Sequence, residues 1–155
     1  MAGLEPGEEL PDAVLTTPDG GSVNLRDFAG KKLVLYFYPK DDTAGCTKEA
    51  QEFSAALDDF AAAGAAVLGV SKDTPAKHKK FAGKYDLTVP LASDEAEVIE
   101  AFGAWVPKVL YGREYMGIDR STWLFDASGK LVKAWRKVRV PGHVAEVLEA
   151  VRVLA

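Results

Sequence analysis

A chain of 155 residues, 48% of them hydrophobic and 27% charged, has the size and composition of one ordinary globular domain, and we expect residues 1–155 to form it. The formal net charge of -4 argues against a nucleic-acid binder, which would normally carry a basic face. No stretch of the sequence approaches the roughly 20 consecutive apolar residues that a membrane-spanning helix needs.

The first half of the chain predicts alternating strands and helices. Turn residues at 17–21 separate two short extended segments and indicate an N-terminal β-hairpin. The apolar run at 33–38 predicts a strand buried on both faces, and residues 46–63 have the apolar spacing of a helix. A second buried strand is predicted over residues 65–70.

The second half continues this alternation and ends in a hairpin and a helix. Pro75 and Pro141 suit the first turn of a helix, and Asp94 is expected to cap one. The predictions in chain order are helices over 74–85 and 95–102, an irregular segment over 103–119, strands over 121–125 and 131–135, and a helix over 141–153. This order predicts an α/β domain with a central mixed β-sheet flanked by helices, which makes a thioredoxin-like fold plausible.

Cys46 is the only cysteine, and it lies where the first central strand gives way to a helix. Ligands in open α/β sheets bind at the carboxyl ends of the strands. The unpaired N–H groups and partial positive charge of a first helical turn favour a thiolate over a thiol. Lys40 and Lys48 would add to this effect, whereas Asp41 and Asp42 would oppose it if they face the sulfur.

Thr43 precedes Cys46 by three residues, so its hydroxyl can reach the same space as the sulfur. Gly45 allows the backbone to approach a small substrate closely. These features together describe a pocket for two bonded oxygen atoms. The alternative is that Cys46 is a small buried apolar residue and Thr43 only an N-cap.

The segment FYPKDDTAGCTKEA resembles the active-site segment of the peroxiredoxins, most closely the bacterioferritin comigratory protein or peroxiredoxin Q group. The family pattern P-x-x-x-T-x-x-C is matched by Pro39, Thr43 and Cys46. A later segment, YMGIDRSTWLFDASGK, matches the strand that begins with the family's arginine, here Arg120. The resemblance implies a thiolate that attacks the O–O bond of hydrogen peroxide or an organic hydroperoxide, with no cofactor.

The resemblance also assigns roles to the surrounding residues. Arg120 and the N–H groups of Gly45 and Cys46 would stabilise the charge that develops on the departing oxygen. Pro39 would close one side of the pocket and keep water off the sulfur. Glu49 resembles the family's glutamate, which orients the polar network, although a solvated helix glutamate is the alternative.

The sequence departs from the family at the resolving cysteine. Many members of the group carry a second cysteine at the position of Gln51, and this chain has none, so we expect a 1-Cys enzyme. An external thiol, from thioredoxin, glutaredoxin or a small molecule, would then reduce the sulfenic acid, which is more open to over-oxidation. Ala44 replaces a proline common in the family. A lone cysteine also favours a reducing compartment, so we expect a cytoplasmic protein, a monomer or weak homodimer.

Two other functions remain open at this point. The first is a thiol–disulfide oxidoreductase or a non-catalytic binding module on the same fold. The oxidoreductase would normally show C-x-x-C, but Thr43 occupies its first position. A redox sensor that relays the oxidation of Cys46 to a partner has the same sequence features as a peroxidase. His78 and His143 are expected to be solvated surface residues, and no metal site is predicted.

Overall fold

The computed structural model describes residues 3–154, so residues 1, 2 and 155 of the predicted domain lie outside the described range. The strands are β1 (Val14–Thr16), β2 (Ser22–Asn24), β3 (Lys32–Phe37), β4 (Ala65–Ser71), β5 (Leu91–Ser93), β6 (Trp105–Leu110), β7 (Arg113–Ile118), β8 (Ser121–Phe125) and β9 (Leu131–Trp135). The helices are α1 (Ala44–Ala62), α2 (Pro75–Tyr85), α3 (Val98–Ala101) and α4 (His143–Val153). Within residues 3–154, no helix is both long and apolar enough to span a membrane.

Seven strands form one mixed sheet in the order β2-β1-β5-β4-β3-β8-β9. The parallel strands β3, β4 and β5 are joined through α1 and α2, and β8 pairs antiparallel with β3. The N-terminal hairpin β1–β2 adds to one end of this sheet through β5. The mixed sheet and its hairpin extension are therefore confirmed.

The apolar run of β3 is buried on both faces of the sheet, as its composition predicts. Leu35 and Phe37 face a core cluster that includes Phe102 and Trp123. Side chains from the alternate positions face a second cluster, which α1, α2 and α4 cover. Because α1 and α4 pack on the same face, their first turns can lie side by side.

The segment from 103 to 119 is not irregular, so that prediction is wrong. It forms the antiparallel hairpin β6–β7, a separate two-stranded sheet. Its turn is made by Tyr111 and Gly112, whose φ angles are 53° and 75°. A two-residue turn with positive φ at both positions matches the twist of a hairpin, but tyrosine is an unusual residue for it.

Three helices begin two or more residues away from their predicted starts. Helix α1 begins at Ala44, and α4 begins at His143 because Gly142 adopts a φ of 77°. The helix expected over 95–102 is only the short α3. Asp94 nevertheless caps it, since its carboxylate accepts hydrogen bonds from the N–H groups of Val98 (2.9 Å) and Ile99 (2.8 Å).

Candidate active site

Cys46 lies in the first turn of α1, at the carboxyl end of β3, and its side chain is buried. Thr43 occupies the N-cap position, but its hydroxyl donates to the carbonyl oxygen of Lys40 (2.8 Å) and does not cap the helix. The first N–H groups of α1 therefore have no side-chain acceptor within residues 3–154. Amides in this position favour a nearby anion, in this case a thiolate.

Arg120 contacts the sulfur directly. The ladder between β8 and β3 places Ser121 opposite Phe37, so Arg120 emerges beside the end of β3. Its Nη2 donates to Cys46 Sγ at 3.3 Å, and its Nη1 donates to Glu49 Oε1 at 2.7 Å. The guanidinium thus bridges the thiol and a carboxylate that lie one helical turn apart on α1.

Gly45 makes room for this bridge. A Cβ atom at Gly45 would lie 3.1 Å from Arg120 Nη2, closer than an ordinary van der Waals contact. The glycine therefore allows the guanidinium to approach the start of α1, in addition to any role toward a substrate.

Glu49 is not a solvated helix residue, because its side chain is fully buried. Burial raises the pKa of Glu49 to about 7, even though the charge and hydrogen bond of Arg120 act to lower it. Its second oxygen, Oε2, has no hydrogen-bond partner within residues 3–154. Arg120 is thus paired with a carboxylate that can take up a proton near neutral pH.

The aspartates just before Thr43 are both engaged elsewhere. Asp42 is paired with Lys84 (2.8 Å) and accepts a hydrogen bond from the Tyr85 hydroxyl (2.5 Å). Asp41 is buried, and it accepts from the Tyr38 hydroxyl (2.5 Å). Neither carboxylate forms a hydrogen bond or an ion pair with Cys46 or Arg120.

The prediction that both histidines are solvated is wrong. His78 is completely buried, and its Nδ1 lies 2.7 Å from Asp41 Oδ2. His143 is 6% exposed, and its Nε2 lies 2.8 Å from the Thr122 hydroxyl. Both partners are distant in sequence, which is why spacing did not reveal them. Within residues 3–154, no group of three potential ligands is placed to hold a metal ion.

The structure brings together some of the predicted site residues and leaves others apart. Cys46, Glu49 and Arg120 form one hydrogen-bonded group, and Gly45 adjoins it. The Thr43 hydroxyl forms no hydrogen bond with the sulfur. Half-buried Pro39 follows β3 in the same loop, and Lys40 and Lys48 are exposed.

Sequence reasoning missed the cluster beneath this loop, formed by Tyr38, Asp41 and His78. The one signal in the sequence was His78, in the segment HKKF at residues 78–81.

Comparison with known proteins places this geometry in a family. Residues 6–134 match the model of the AhpC/TSA family. Peroxiredoxin Bcp of Bacillus subtilis is 47% identical over 150 residues, and Peroxiredoxin Bcp of Escherichia coli is 40% identical over 149 residues; each match covers 96% of both chains. The chain therefore belongs to the AhpC/TSA family.

Solved structures define the group within that family. A structure of Xanthomonas campestris peroxiredoxin Q superposes with a TM-score of 0.88 at 44% identity, covering 97% of this chain and 96% of the other. The bacterioferritin comigratory protein of the same organism, studied for its alkyl peroxide reduction activity, also gives a TM-score of 0.88 at 43% identity, covering 96% of this chain and 98% of that one. This chain is a peroxiredoxin of that group with the thioredoxin-like fold, and both predictions are confirmed.

Proposed function

We propose that the protein is a thiol-dependent peroxidase that reduces hydrogen peroxide and organic hydroperoxides at Cys46. The observation that carries the proposal is the contact of Arg120 with both the sulfur and Glu49. The Cys46 thiolate attacks one peroxide oxygen, the O–O bond breaks, and the other oxygen leaves as water or an alcohol after taking a proton. Cys46 becomes a sulfenic acid.

The negative charge moves from sulfur to the departing oxygen during this step. The guanidinium of Arg120 is permanently charged and adjoins the sulfur, so it can stabilise the charge at both ends of the reaction. The N–H groups of Gly45 and Cys46, which have no side-chain acceptor in the described part of the chain, supply further donors. Thr43 would hold the peroxide through its hydroxyl, which can still accept a hydrogen bond while it donates to Lys40. Pro39 would limit the access of water.

Regeneration of the thiol has to come from outside the chain. With one cysteine in the sequence, the sulfenic acid has no internal partner for a disulfide. An external thiol condenses with Cys46 to form a mixed disulfide and water, and a second thiol then releases Cys46. Thioredoxin, glutaredoxin or a small thiol can fill this role.

The finer features predicted from the sequence belong to the same proposal. A cytoplasmic, reducing location is supported by the single unpaired cysteine. A single domain that acts as a monomer or weak homodimer is likewise proposed.

Intact mass spectrometry tests the proposal. One equivalent of hydrogen peroxide should add one oxygen to the reduced protein, and an external thiol should remove it again. A Cys46→Ser variant is the control, and it should gain no oxygen under these conditions. Oxidation confined to other residues, with the Cys46 thiol intact, would contradict the proposal.

A further inference from the structure

A surface cavity of about 520 Å³ lies between the end of β9 and the start of α4. Its polar lining carries three cationic side chains and one carboxylate. The residues used below are Trp135, Arg136, Lys137, Arg139, His143 and Glu146. We call it the basic cavity.

Two of the three cationic side chains of the basic cavity are available to bind an anion. Lys137 and Arg139 have no ion pair or side-chain hydrogen bond within residues 3–154. Arg136, in contrast, donates to the carbonyl oxygens of Gly103 (3.0 Å) and Phe102 (3.2 Å) and lies 3.8 Å from the carboxylate of Asp119. The two free cations leave the basic cavity with an excess of positive charge, although it contains one acidic side chain.

That acidic side chain, Glu146, already has a partner. Its Oε2 accepts a hydrogen bond from Trp135 Nε1 at 2.6 Å. Glu146 is thus held against the wall of the basic cavity and forms no ion pair with Lys137 or Arg139. An incoming anion would meet free cations.

The first turn of α4 adds backbone donors. Gly142 is the N-cap and has no side chain to accept from the helix, so the N–H groups of Val144 and Ala145 have no acceptor within residues 3–154. His143 lies in the same turn and is 6% exposed. Its Nε2 contacts Thr122, while its Nδ1 has no hydrogen-bond partner among the described residues.

The fold places the basic cavity at the same end of the sheet as Cys46. In the sheet, Phe37 of β3 lies opposite Ser121, and the next residue, Thr122, lies opposite Trp135 at the end of β9. The N-termini of α1 and α4 therefore lie at the same edge and on the same face. The N–H of Val138 also donates to the carbonyl oxygen of Arg120 at 2.9 Å, which joins the lining of the cavity to the active-site arginine.

We propose that the basic cavity binds the anionic group of a small-molecule thiol and so directs that thiol to the oxidised Cys46. This inference rests on the proposed peroxidase function, and it names the reductant as a low-molecular-weight thiol that carries a carboxylate, phosphate or similar oxyanion. The bound thiolate attacks the sulfur of the sulfenic acid. An S–S bond forms, the S–O bond breaks, and the oxygen leaves as water after taking a proton.

A matched pair of thiols tests the proposal. Glutathione carries two carboxylates, and glutathione diethyl ester has the same thiol and peptide with both carboxylates blocked. Cys46 is first oxidised with one equivalent of hydrogen peroxide, and its reduction by each thiol is followed by intact mass. We expect glutathione to reduce Cys46 about tenfold faster than the diester does. Two exposed ion pairs between its carboxylates and the cavity would provide a preference of about this size. Equal rates would overturn the proposal.

Two double variants locate the effect. Lys137→Ala/Arg139→Ala should abolish the preference for glutathione. Lys31→Ala/Arg152→Ala removes the same charges from exposed positions elsewhere, Arg152 being at the far end of α4, and should keep the preference. A preference that survives the first double variant would contradict the assignment to the basic cavity.

Inorganic phosphate separates a reductant site from a general oxyanion site. Phosphate should compete with glutathione and slow its reaction, while the diester's rate is unchanged. Phosphate that binds near His143 by NMR without slowing glutathione would overturn the proposal. If peroxide forms no sulfenic acid on Cys46, the peroxidase function itself fails, and this earlier result is distinguishable from a loss of thiol preference.

Discussion

Arg120 uses two nitrogens of one guanidinium to contact two acidic groups, the Cys46 thiol and the Glu49 carboxyl. The planar, forked arrangement of these donors is what allows one side chain to serve both partners, and a lysine ammonium has no equivalent geometry. Burial lowers the pKa of Arg120, but Glu49 and Cys46 outweigh that effect and leave the pKa raised. The site therefore keeps a fixed positive charge against the sulfur.

The buried carboxyl of Glu49 makes stability depend on pH. Its pKa rises from 4.5 in the unfolded chain to about 7 in the fold, so between these values the folded protein holds a proton that the unfolded chain has released. Stability contributed by Glu49 is therefore complete below pH 4.5 and is lost as pH rises through about 7. Relative to that of Glu49→Gln, the free energy of unfolding of the wild type should fall by up to about 3 kcal/mol as the pH rises across this window.

Urea unfolding of both proteins at several pH values measures this difference. Asp58→Asn, on the exposed side of the same helix, controls for the general effect of removing a negative charge. A free-energy difference between wild type and Glu49→Gln that stays constant from pH 4.5 to 7 would contradict the prediction.

The sequence predicted the residues of this site because two motifs carry them, and not because spacing placed them together. Cys46 and Arg120 are separated by 74 positions, and only a family pattern links them. From the sequence, Glu49 is either the family's orienting glutamate or a solvated helix residue. Its burial depends on the packing of α1 against the sheet, which no local pattern encodes.

The loop between β3 and α1 is held in place by the hydrogen bonds of the Tyr38–Asp41–His78 cluster. Asp41 accepts from Tyr38 at the end of β3 and contacts His78 on α2, while its N–H donates to Asp73 Oδ2 at 2.8 Å. The loop that leads to Cys46 is thus fixed to three separate parts of the chain. Such anchoring limits the positions that Thr43 can adopt.

Tyr36 in β3 and Tyr38, which directly follows the strand, provide a matched test of this anchoring. The Tyr38 hydroxyl is hydrogen-bonded to Asp41, whereas the buried Tyr36 hydroxyl lies against Gly69 and has no partner within residues 3–154. Tyr38→Phe should lower the free energy of unfolding by about 1–2 kcal/mol, and Tyr36→Phe should change it by less than about 0.5 kcal/mol. Chemical denaturation measures both values, and equal losses would contradict the cluster's assigned role.

Most of the elements could be predicted because their patterns are strong and local. The apolar run of β3, Pro75 at the start of α2 and the turn between β8 and β9 each carry an unambiguous signal. The hairpin β6–β7 was missed because its strands are largely exposed and its turn begins with tyrosine. The predicted start of α4 at Pro141 is wrong because Gly142 is the N-cap and the helix begins at His143.

The order of strands in the seven-stranded sheet brings the end of β3, the start of β8 and the end of β9 to one edge. Helices α1 and α4 both begin at this edge. This arrangement brings two helix N-termini to the end of the sheet where Arg120 contacts Cys46. The same chain supplies no second thiol to protect that cysteine after it is oxidised.

Over-oxidation should therefore depend on the supply of external thiol. With excess hydrogen peroxide and no reductant, the sulfenic acid reacts again, and the protein should gain a second oxygen and lose activity. Addition of thiol before the second equivalent of peroxide should prevent this gain. Mass spectrometry distinguishes the two forms, and full recovery of activity after prolonged excess peroxide would contradict the expectation.

The rate at which Cys46 reacts with stoichiometric hydrogen peroxide after rapid mixing, followed by tryptophan fluorescence, tests whether Arg120 activates this thiol toward peroxide. We expect the wild-type thiol to react at least about 100-fold faster than free cysteine at the same pH, and Arg120→Ala to remove most of that advantage. Arg113→Ala, an exposed arginine on β7, is the control and should react like the wild type. A Cys46 that reacts no faster than free cysteine, or an Arg120→Ala variant as fast as the wild type, would contradict the account.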